Sequence, residues 1–332
     1  MLDSLPPQIY GKHLRYLYRS CGHNALLPTS LQIPLCYDQN EPAHGRGGFA
    51  DVWKVQHNGQ DVAAKALKVY STDNFKEIRR KFCREVMIWR TLRHPNVLSL
   101  LGVMMTENKF VMVSEWMDNG NINKFLKKGD TNVDRVELIR EITGGLIYMH
   151  DRKIVHGDLK GENIMIDKGG HARLADFSLI TVIPDPSTFV STCVEGGTPS
   201  WMSPELLDPE EFGFEEARPT KESDCYALGM VIYEVLSGQA PFPTCGPYGP
   251  LKKILRGERP ARPEGELGKP FTNDIWETAN LCWKPQPSDR ASARDVLRCF
   301  GGTPPLQPPS PNANVDTEAD SDDQSEATPD GS

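Results

Sequence analysis

A lysine lies in the middle of an apolar run near the start of the chain, and its position restricts how that segment can fold. The run DVAAKALKV, which contains Lys65, predicts a strand over 60–69 that follows another over 50–55. An ammonium group buried in such a strand needs an anionic partner, because an unpaired buried charge is very costly. A phosphate group together with a carboxylate would meet that need.

A glycine-rich turn, GRGGFA over 45–50, precedes the two strands. Glycines lack a Cβ, so the backbone amides of such a turn can approach phosphate oxygens closely. A flexible hairpin explains the turn equally well. A dinucleotide-binding turn would be followed by a helix and by an acidic residue about twenty positions on. A second strand follows here instead, which argues against a dehydrogenase.

The rest of the pattern divides the chain into two parts. Apolar residues at three- and four-residue steps predict helices over 75–92 and 132–150. FVMVSEWM predicts a short strand, and the run over 226–236 is apolar almost all round, as in a buried helix. Strands dominate the first third and helices the remainder. The pattern therefore predicts an α+β fold with a small sheet-rich lobe and a larger helical lobe.

Two polar loops follow the helix predicted over 132–150, namely VHGDLKGEN at 155–163 and ADFS at 175–178. Spaced acids and an amide on loops, added to the glycine-rich turn and the lysine, indicate a site for a magnesium nucleotide. In this order the motifs closely resemble those of protein kinases: a Gly-rich loop, VAIK, HRDLxxxN, DFG and APE. The resemblance covers about residues 40–300. It implies a bilobal kinase-like fold with an antiparallel-sheet N-lobe, one regulatory helix and a helical C-lobe.

The resemblance also implies ATP and Mg²⁺ as cofactors and a Ser or Thr hydroxyl of a protein as the phosphate acceptor. Asp158 would be the catalytic base, and Lys160 would steady the transferring phosphate, as in kinases of the serine/threonine type. Lys65 would hold the α- and β-phosphates and pair with Glu85 of the regulatory helix.

The other expected ligand contacts come from the Gly-rich loop, the sheet, the hinge between the lobes and the strand after the catalytic loop. Those expected to contact ATP are Gly45, Arg46, Gly47, Gly48, Val52, Ala63, Ser114, Glu115, Met117 and Met165. Asn163 and Asp176 would bind Mg²⁺. Ser114 aligns with the gatekeeper, and its small side chain predicts an open pocket behind the adenine.

The resemblance assigns structural roles to further residues. GGTPSWMSPE resembles the end of an activation segment, where Thr198 would contact the catalytic loop. Glu205 would form an ion pair with Arg290, and Asp224 would tie the catalytic loop to the buried helix.

Three positions depart from the kinase pattern. Ala50 replaces the third loop glycine, and Ser178 replaces the glycine of DFG. Gly157 replaces the arginine of HRD, which usually pairs with a phosphorylated activation loop. Activity is therefore expected to depend little on phosphorylation of four hydroxyls, those of Ser187, Thr188, Ser191 and Thr192. The departures also keep open an alternative, a pseudokinase that binds nucleotide and acts through partners. The five principal site residues argue against it: Lys65, Glu85, Asp158, Asn163 and Asp176.

Finer resemblances concern the kinase group. CREVMIWRTLRHPNVLSLLGV and CWKPQPSDR look like the tyrosine-kinase-like group of eukaryotic protein kinases. CGHNALLPTSLQI resembles the segment before the kinase domain in expanded families of mushroom-forming fungi.

Composition sets the expected boundaries. Residues 301–332 carry seven carboxylates and no Lys or Arg, which predicts a disordered acidic tail and leaves 38 acids against 37 bases elsewhere. Such a neutral body lacks the basic surface of a nucleic-acid binder. The kinase domain is expected over 41–300, with lobes at 41–115 and 118–300, and residues 1–40 are expected to pack on the small lobe.

The remaining composition features concern location and thiol chemistry. No apolar run reaches the ~18 residues of a membrane helix. Pro6 and Pro7 interrupt any secretory signal. An intracellular, cytoplasmic protein is therefore expected, and its eight scattered cysteines should be reduced thiols.

Overall fold

The structure, a computed structural model, describes residues 20–21, 24–35, 42–48, 50–69, 74–129, 133–178, 181–182, 199–246 and 249–304. These residues form the two lobes expected of a kinase fold, a five-stranded sheet with one long helix and a helical lobe with short strands. The predicted acidic tail beyond residue 304 and most of the segment before residue 24 lie outside the described residues.

The small lobe is an antiparallel sheet of strand order β1-β2-β3-β5-β4. Its strands are β1 (Gly45–Arg46), β2 (Ala50–His57), β3 (Gln60–Leu67), β4 (Leu100–Met105) and β5 (Phe110–Glu115). A two-residue turn joins β2 to β3, and Asn58 and Gly59 both have the positive φ angles that suit tight hairpins. Lys65 lies opposite Val52 on β2 and Met112 on β5, in the centre of the sheet.

Helix α1 (Phe75–Thr91) packs across the sheet. Asn74 caps it by accepting a hydrogen bond from the Glu77 N–H, which satisfies one of the free donors of the first turn. Phe82, Val86 and Trp89 recur at three- and four-residue steps and are buried in the main core. The predicted helix over 75–92 is confirmed to within one residue.

The large lobe contains the remaining helices and four short strands. The helices are α2 (Ile122–Lys127), α3 (Arg135–Asp151), α4 (Pro204–Leu207), α5 (Lys221–Ser237), α6 (Gly249–Leu255), α7 (Asn273–Cys282) and α8 (Ala293–Cys299). The strands pair as β6 (Ile154–Val155) with β9 (Thr181–Val182), and β7 (Ile164–Ile166) with β8 (Ala172–Leu174). Every residue of α5 from Ser223 onward is buried, so this helix is the centre of the lobe.

Helix α3 begins later than the pattern predicted. The expected start at residue 132 lies outside the described residues, and the helix starts at Arg135 because Asp134 is its N-cap and accepts from the Glu137 N–H. In the described part of the chain, six cysteines are all free thiols, as expected for them. No helix of that part combines the length and apolar character needed to cross a bilayer.

Candidate active site

A cleft of about 530 Å³ lies between the lobes. It gathers eight of the residues predicted to contact ATP, which are Gly45, Val52, Ala63, Lys65, Ser114, Glu115, Met117 and Met165. It also contains both predicted metal ligands, Asn163 and Asp176. Elements from distant parts of the sequence therefore supply one shared surface, with apolar walls from the sheet and polar groups from the loops.

Four other predicted site residues do not line this cleft. Arg46, Gly47 and Gly48 lie at the exposed tip of the hairpin, which closes through a 2.9 Å bond from the Gly47 N–H to the Ala50 carbonyl. Glu85, on α1, does not line it either.

Lys65 and Asp176 form the ion pair at the back of the cleft, with 2.5 Å between Nζ and Oδ1. Asp176 follows β8 with φ of +62°, a left-handed conformation that aspartate tolerates better than most residues. Burial alone would raise the pKa of Asp176, but the Lys65 ammonium and a hydrogen bond from Ser178 lower it to about 2. The carboxylate is therefore ionised and available to a cation at neutral pH.

The predicted pair between Lys65 and Glu85 is not formed. No ion pair joins these two residues, both of which the structure describes, because Lys65 is engaged by Asp176. Among the described residues, Glu85 Oε1 is buried without a hydrogen-bond partner. Burial raises the pKa of Glu85 to about 7, and the nearby Lys65 ammonium only partly opposes this. Glu85 therefore keeps its proton to a higher pH than an ordinary glutamate does.

The loop after β6 holds Asp158 beside two donors. Asp158 Oδ2 accepts from Lys160 Nζ at 2.9 Å and from Asn163 Nδ2 at 2.8 Å. Asn163 Nδ2 also donates to the Asp158 carbonyl at 2.8 Å, which leaves the amide oxygen of Asn163 for another partner. Burial raises the pKa of Asp158 above its ordinary value, although the Lys160 ammonium opposes this. These contacts orient a carboxylate that can accept a proton.

Asn163 and Asp176 fit a magnesium ion. Both present oxygen donors on the same cleft, and hard cations such as Mg²⁺ prefer carboxylate and amide oxygens with phosphate completing the shell. The described residues contain no cluster of three or more His, Cys, Asp or Glu side chains that could hold a metal by themselves. A cation here would therefore depend on oxygens from a bound ligand.

Asp224 of α5 anchors the loop that carries Asp158. Its carboxylate accepts from the backbone N–H of His156 at 2.8 Å and of Gly157 at 2.9 Å, and His150 Nε2 lies 2.9 Å away. Gly157 has φ of +81°, a conformation that costs a residue with a side chain more than it costs glycine. The predicted role of Asp224 is confirmed.

Glu205 and Arg290 form the predicted structural ion pair. Two parallel hydrogen bonds of 2.6 Å join their side chains, which are almost fully buried. Arg290 also donates to three backbone carbonyls, those of Glu222, Lys284 and Pro285. This guanidinium thus uses most of its donors in one buried site.

Glu234 of α5 is a central residue that the sequence reasoning missed. Its carboxylate accepts from Gly161 N–H at 2.9 Å, Asn123 Nδ2 at 2.7 Å and Trp201 Nε1 at 2.9 Å. A Cβ on Gly161 would lie only 2.5 Å from Glu234 Oε1. The signal available in the sequence was a single carboxylate inside the apolar run MVIYEVL.

Several other residues that line the cleft were missed. They are His44, Trp89, Leu98, Asp118, Asn119, Gly120, Asn121, Lys124, Lys128, Glu162 and Ala175. Trp116 also lines the cleft and lies within the hinge predicted over 115–117. The ring of His44 meets Trp116 edge-on at 5.3 Å, and Lys54 lies 5.4 Å from the same Trp ring. Trp116 thus packs against two side chains of the small lobe. Ser114, the predicted gatekeeper, is buried and lines the cleft.

Comparison with known proteins agrees with this geometry. Residues 39–299 match the model of the protein kinase domain. The serine/threonine-protein kinases CTR1 and VIK of Arabidopsis thaliana are 29% and 28% identical over 81% and 76% of this chain. Serine/threonine-protein kinase dst1 of Dictyostelium discoideum is 27% identical over 82%. The matches span only 32%, 57% and 36% of these relatives' own lengths. Because the domain match covers most of its length, the chain belongs to the protein kinase family.

Proposed function

We propose that this chain is an ATP-dependent protein kinase that transfers the γ-phosphoryl group to Ser or Thr hydroxyls of proteins. The observation that supports this best is the shared cleft, which Lys65, Asn163 and Asp176 all line. Asp158, with Lys160 2.9 Å from its carboxylate, lies on the loop that carries Asn163. Relatives named as serine/threonine-protein kinases favour the same acceptor.

Each residue would have a distinct task when Mg²⁺ and ATP are bound. Mg²⁺ would neutralise charge on the phosphates, with Asn163 and Asp176 as its protein ligands. Lys65 would move from Asp176 to the phosphates. Asp158 would orient the acceptor hydroxyl and accept its proton, and Lys160 would keep that carboxylate in place and face the transferring group. Catalysis would come mainly from positioning and charge.

The decisive experiment is a phosphotransfer assay with labelled ATP, Mg²⁺ and a generic Ser/Thr substrate. Asp158→Asn should reduce the rate by about 10²–10⁴-fold, since it removes the proton acceptor. Asp289→Asn, which changes an exposed carboxylate on the same lobe, should leave the rate unchanged. Transfer by the unmodified chain no faster than by Asp158→Asn would refute the proposal.

A pseudokinase is the second candidate, because one observation favours it. Lys65 pairs with Asp176 while Glu85 Oε1, among the described residues, has no hydrogen-bond partner, an arrangement that does not hold Lys65 toward phosphates. The chain would then be a nucleotide-binding scaffold. Micromolar nucleotide binding without transfer above the Asp158→Asn background would favour this function.

Regulation should differ from that of kinases that need activation-loop phosphorylation. Gly157 offers only its N–H, which Asp224 occupies, so no guanidinium at this position can hold a phosphate. The four candidate sites and Thr198 lie outside the described residues. Alanine at Ser187, Thr188, Ser191 and Thr192 together should leave turnover within about threefold of the unmodified chain. Loss of turnover with nucleotide binding retained would contradict this.

The small gatekeeper offers a test of the ATP site that does not need a protein substrate. Ser114 is buried and lines the cleft, and its small side chain would leave room that we expect a bulky aryl-bearing ATP-site inhibitor to use. Ser114→Met should weaken such an inhibitor at least about tenfold by filling that space. An inhibitor without the aryl group is the matched control. Equal potency of the bulky inhibitor on both proteins would contradict the expectation.

The finer group assignment is part of this proposal. The motifs around the regulatory helix and the loop that carries Arg290 favour the tyrosine-kinase-like group, and the segment at 21–33 suggests the expanded families of mushroom-forming fungi. We further propose a cytoplasmic location. The nearly neutral charge outside the tail argues against a role in nucleic-acid binding.

A further inference from the structure

A short segment ahead of the matched kinase domain is built into the small lobe. The domain match begins at residue 39, whereas residues 25–35 already contact both α1 and the sheet. Leu31 is 7% exposed and belongs to the main core together with Phe82 and Val86 of α1. The folding unit of the small lobe therefore includes residues that precede the family boundary.

One end of this segment is fixed to α1. Arg79 Nε donates to the Ala25 carbonyl at 2.9 Å. Ala25 is buried and has φ of +52°, an unfavourable conformation for a residue with a side chain. Surrounding contacts must therefore maintain this turn. Leu27 packs against the same core as the buried face of the helix.

The other end is fixed to β4, the edge of the sheet. Ile33 N–H donates to the Val103 carbonyl at 2.9 Å, and Met105 N–H donates to Gln32 Oε1 at 3.2 Å. Gly102 creates the space for this contact, because a Cβ there would lie 2.8 Å from the Leu31 carbonyl oxygen. The segment thus covers an edge that would otherwise expose backbone donors and acceptors.

We propose that residues 25–35 are a positioning element for the phosphotransfer site, acting through α1. The element bridges α1 and β4, so it fixes the distance of the helix from the sheet. Glu85 lies on α1, its Oε1 has no hydrogen-bond partner among the described residues, and Lys65 of β3 pairs with Asp176 instead, so no ion pair between Glu85 and Lys65 ties the helix to the sheet. The position of Glu85 relative to Lys65 therefore depends on how α1 packs. Residues 25–35 contribute to that packing. This inference rests on the proposed function.

Two variants test the proposal at its two ends. Arg79→Ala removes the donor to Ala25, and Gly102→Val places atoms where Leu31 and Ile33 lie. Lys81→Ala is the matched control for the first, because it removes an exposed cation of the same helix whose ion-pair partner is Glu77. Leu101→Val, a change at an exposed position of the same strand, is the control for the second.

Hydrogen exchange and steady-state kinetics on the full chain supply the readouts. Arg79→Ala and Gly102→Val should speed exchange of α1 amides at least about tenfold with α3 and α5 unchanged. They should lower kcat about five- to tenfold with KM for ATP within twofold. Arg79→Lys keeps a donor and should recover most of the lost kcat, which a purely structural defect would not explain.

The outcomes separate this proposal from the proposed function. Exchange in α1 that stays at the level of the control variants would overturn the positioning role, and so would faster exchange spread equally over α5. If Gly102→Val does not fold, Arg79→Ala alone decides. If the unmodified chain transfers no phosphate, the proposed function fails, and so does the catalytic part of this proposal. The exchange data would then still decide whether the segment positions α1.

Discussion

The buried charged side chains of the two lobes differ in how completely they are hydrogen-bonded. In the large lobe, Glu205, Asp224 and Glu234 each accept at least two hydrogen bonds from fixed donors. In the small lobe, Glu85 has a buried oxygen with no hydrogen-bond partner among the described residues, and Lys65 pairs with an acid from the other lobe. Fully partnered buried charges resist change because breaking them leaves uncompensated charge. A buried charge with incomplete partners can form new contacts when a ligand binds. The large lobe is thus the rigid half of the site.

Breaking a fully partnered charge should have the largest effect on stability. Arg290→Ala leaves Glu205 buried without its cation, and we expect a loss of about 3–5 kcal/mol in the free energy of unfolding. Urea denaturation measures it. Arg298→Ala removes the exposed pair with Asp295 and should cost less than about 1 kcal/mol. Similar losses in the free energy of unfolding for both variants would show that burial does not increase the contribution of the ion pair to stability.

In the small lobe, Glu85 should instead make the free energy of unfolding depend on pH. Burial raises the pKa of Glu85 from an ordinary value of 4.5 to about 7, so the folded state binds more protons than the unfolded state between these values. This contribution to stability is complete below pH 4.5 and is lost as pH rises through 7. It amounts to on the order of 2–3 kcal/mol.

The variant Glu85→Gln isolates that contribution. Between pH 5 and pH 8, its free energy of unfolding should fall less than that of the unmodified chain. The difference should be on the order of 2–3 kcal/mol. Chemical denaturation at several pH values measures the difference. Glu266→Gln, at an exposed position, should keep the original pH dependence. Parallel curves for Glu85→Gln and the unmodified chain would mean that Glu85 is ionised in the fold.

The smallest expected effect concerns backbone conformation in the rigid half. Gly157→Ala forces a side chain into φ of +81° and should destabilise the chain by about 1–2 kcal/mol. Gly144→Ala, inside α3 with its nearest neighbour 3.9 Å from the new Cβ, should stabilise it by about 0.5–1 kcal/mol. The opposite signs make thermal unfolding of the two variants a sensitive comparison. A stabilising Gly157→Ala would contradict the assigned conformation.

Sequence patterns predicted the rigid half better than the adaptable half. Asp224, Glu205 and Arg290 lie in motifs that resemble those of kinases, and their contacts agree with the roles that the resemblance implies. The predicted partner of Lys65 was wrong. The carboxylates of Glu85 and Asp176 compete for its ammonium, and which of them pairs with it depends on how the two lobes lie relative to each other. Glu234 was missed for a similar reason, since its three donors come from three separate elements.

Gly161 restricts which substitutions related sequences can carry at two neighbouring positions. The space that its Cβ would fill is taken by the Glu234 carboxylate and the amide of Asn123. A larger residue at 161 therefore requires that both side chains withdraw, so the three positions form a set whose substitutions are linked. In an alignment of close relatives, residue 161 should vary together with 123 and 234, and independent variation would show that the local backbone yields instead.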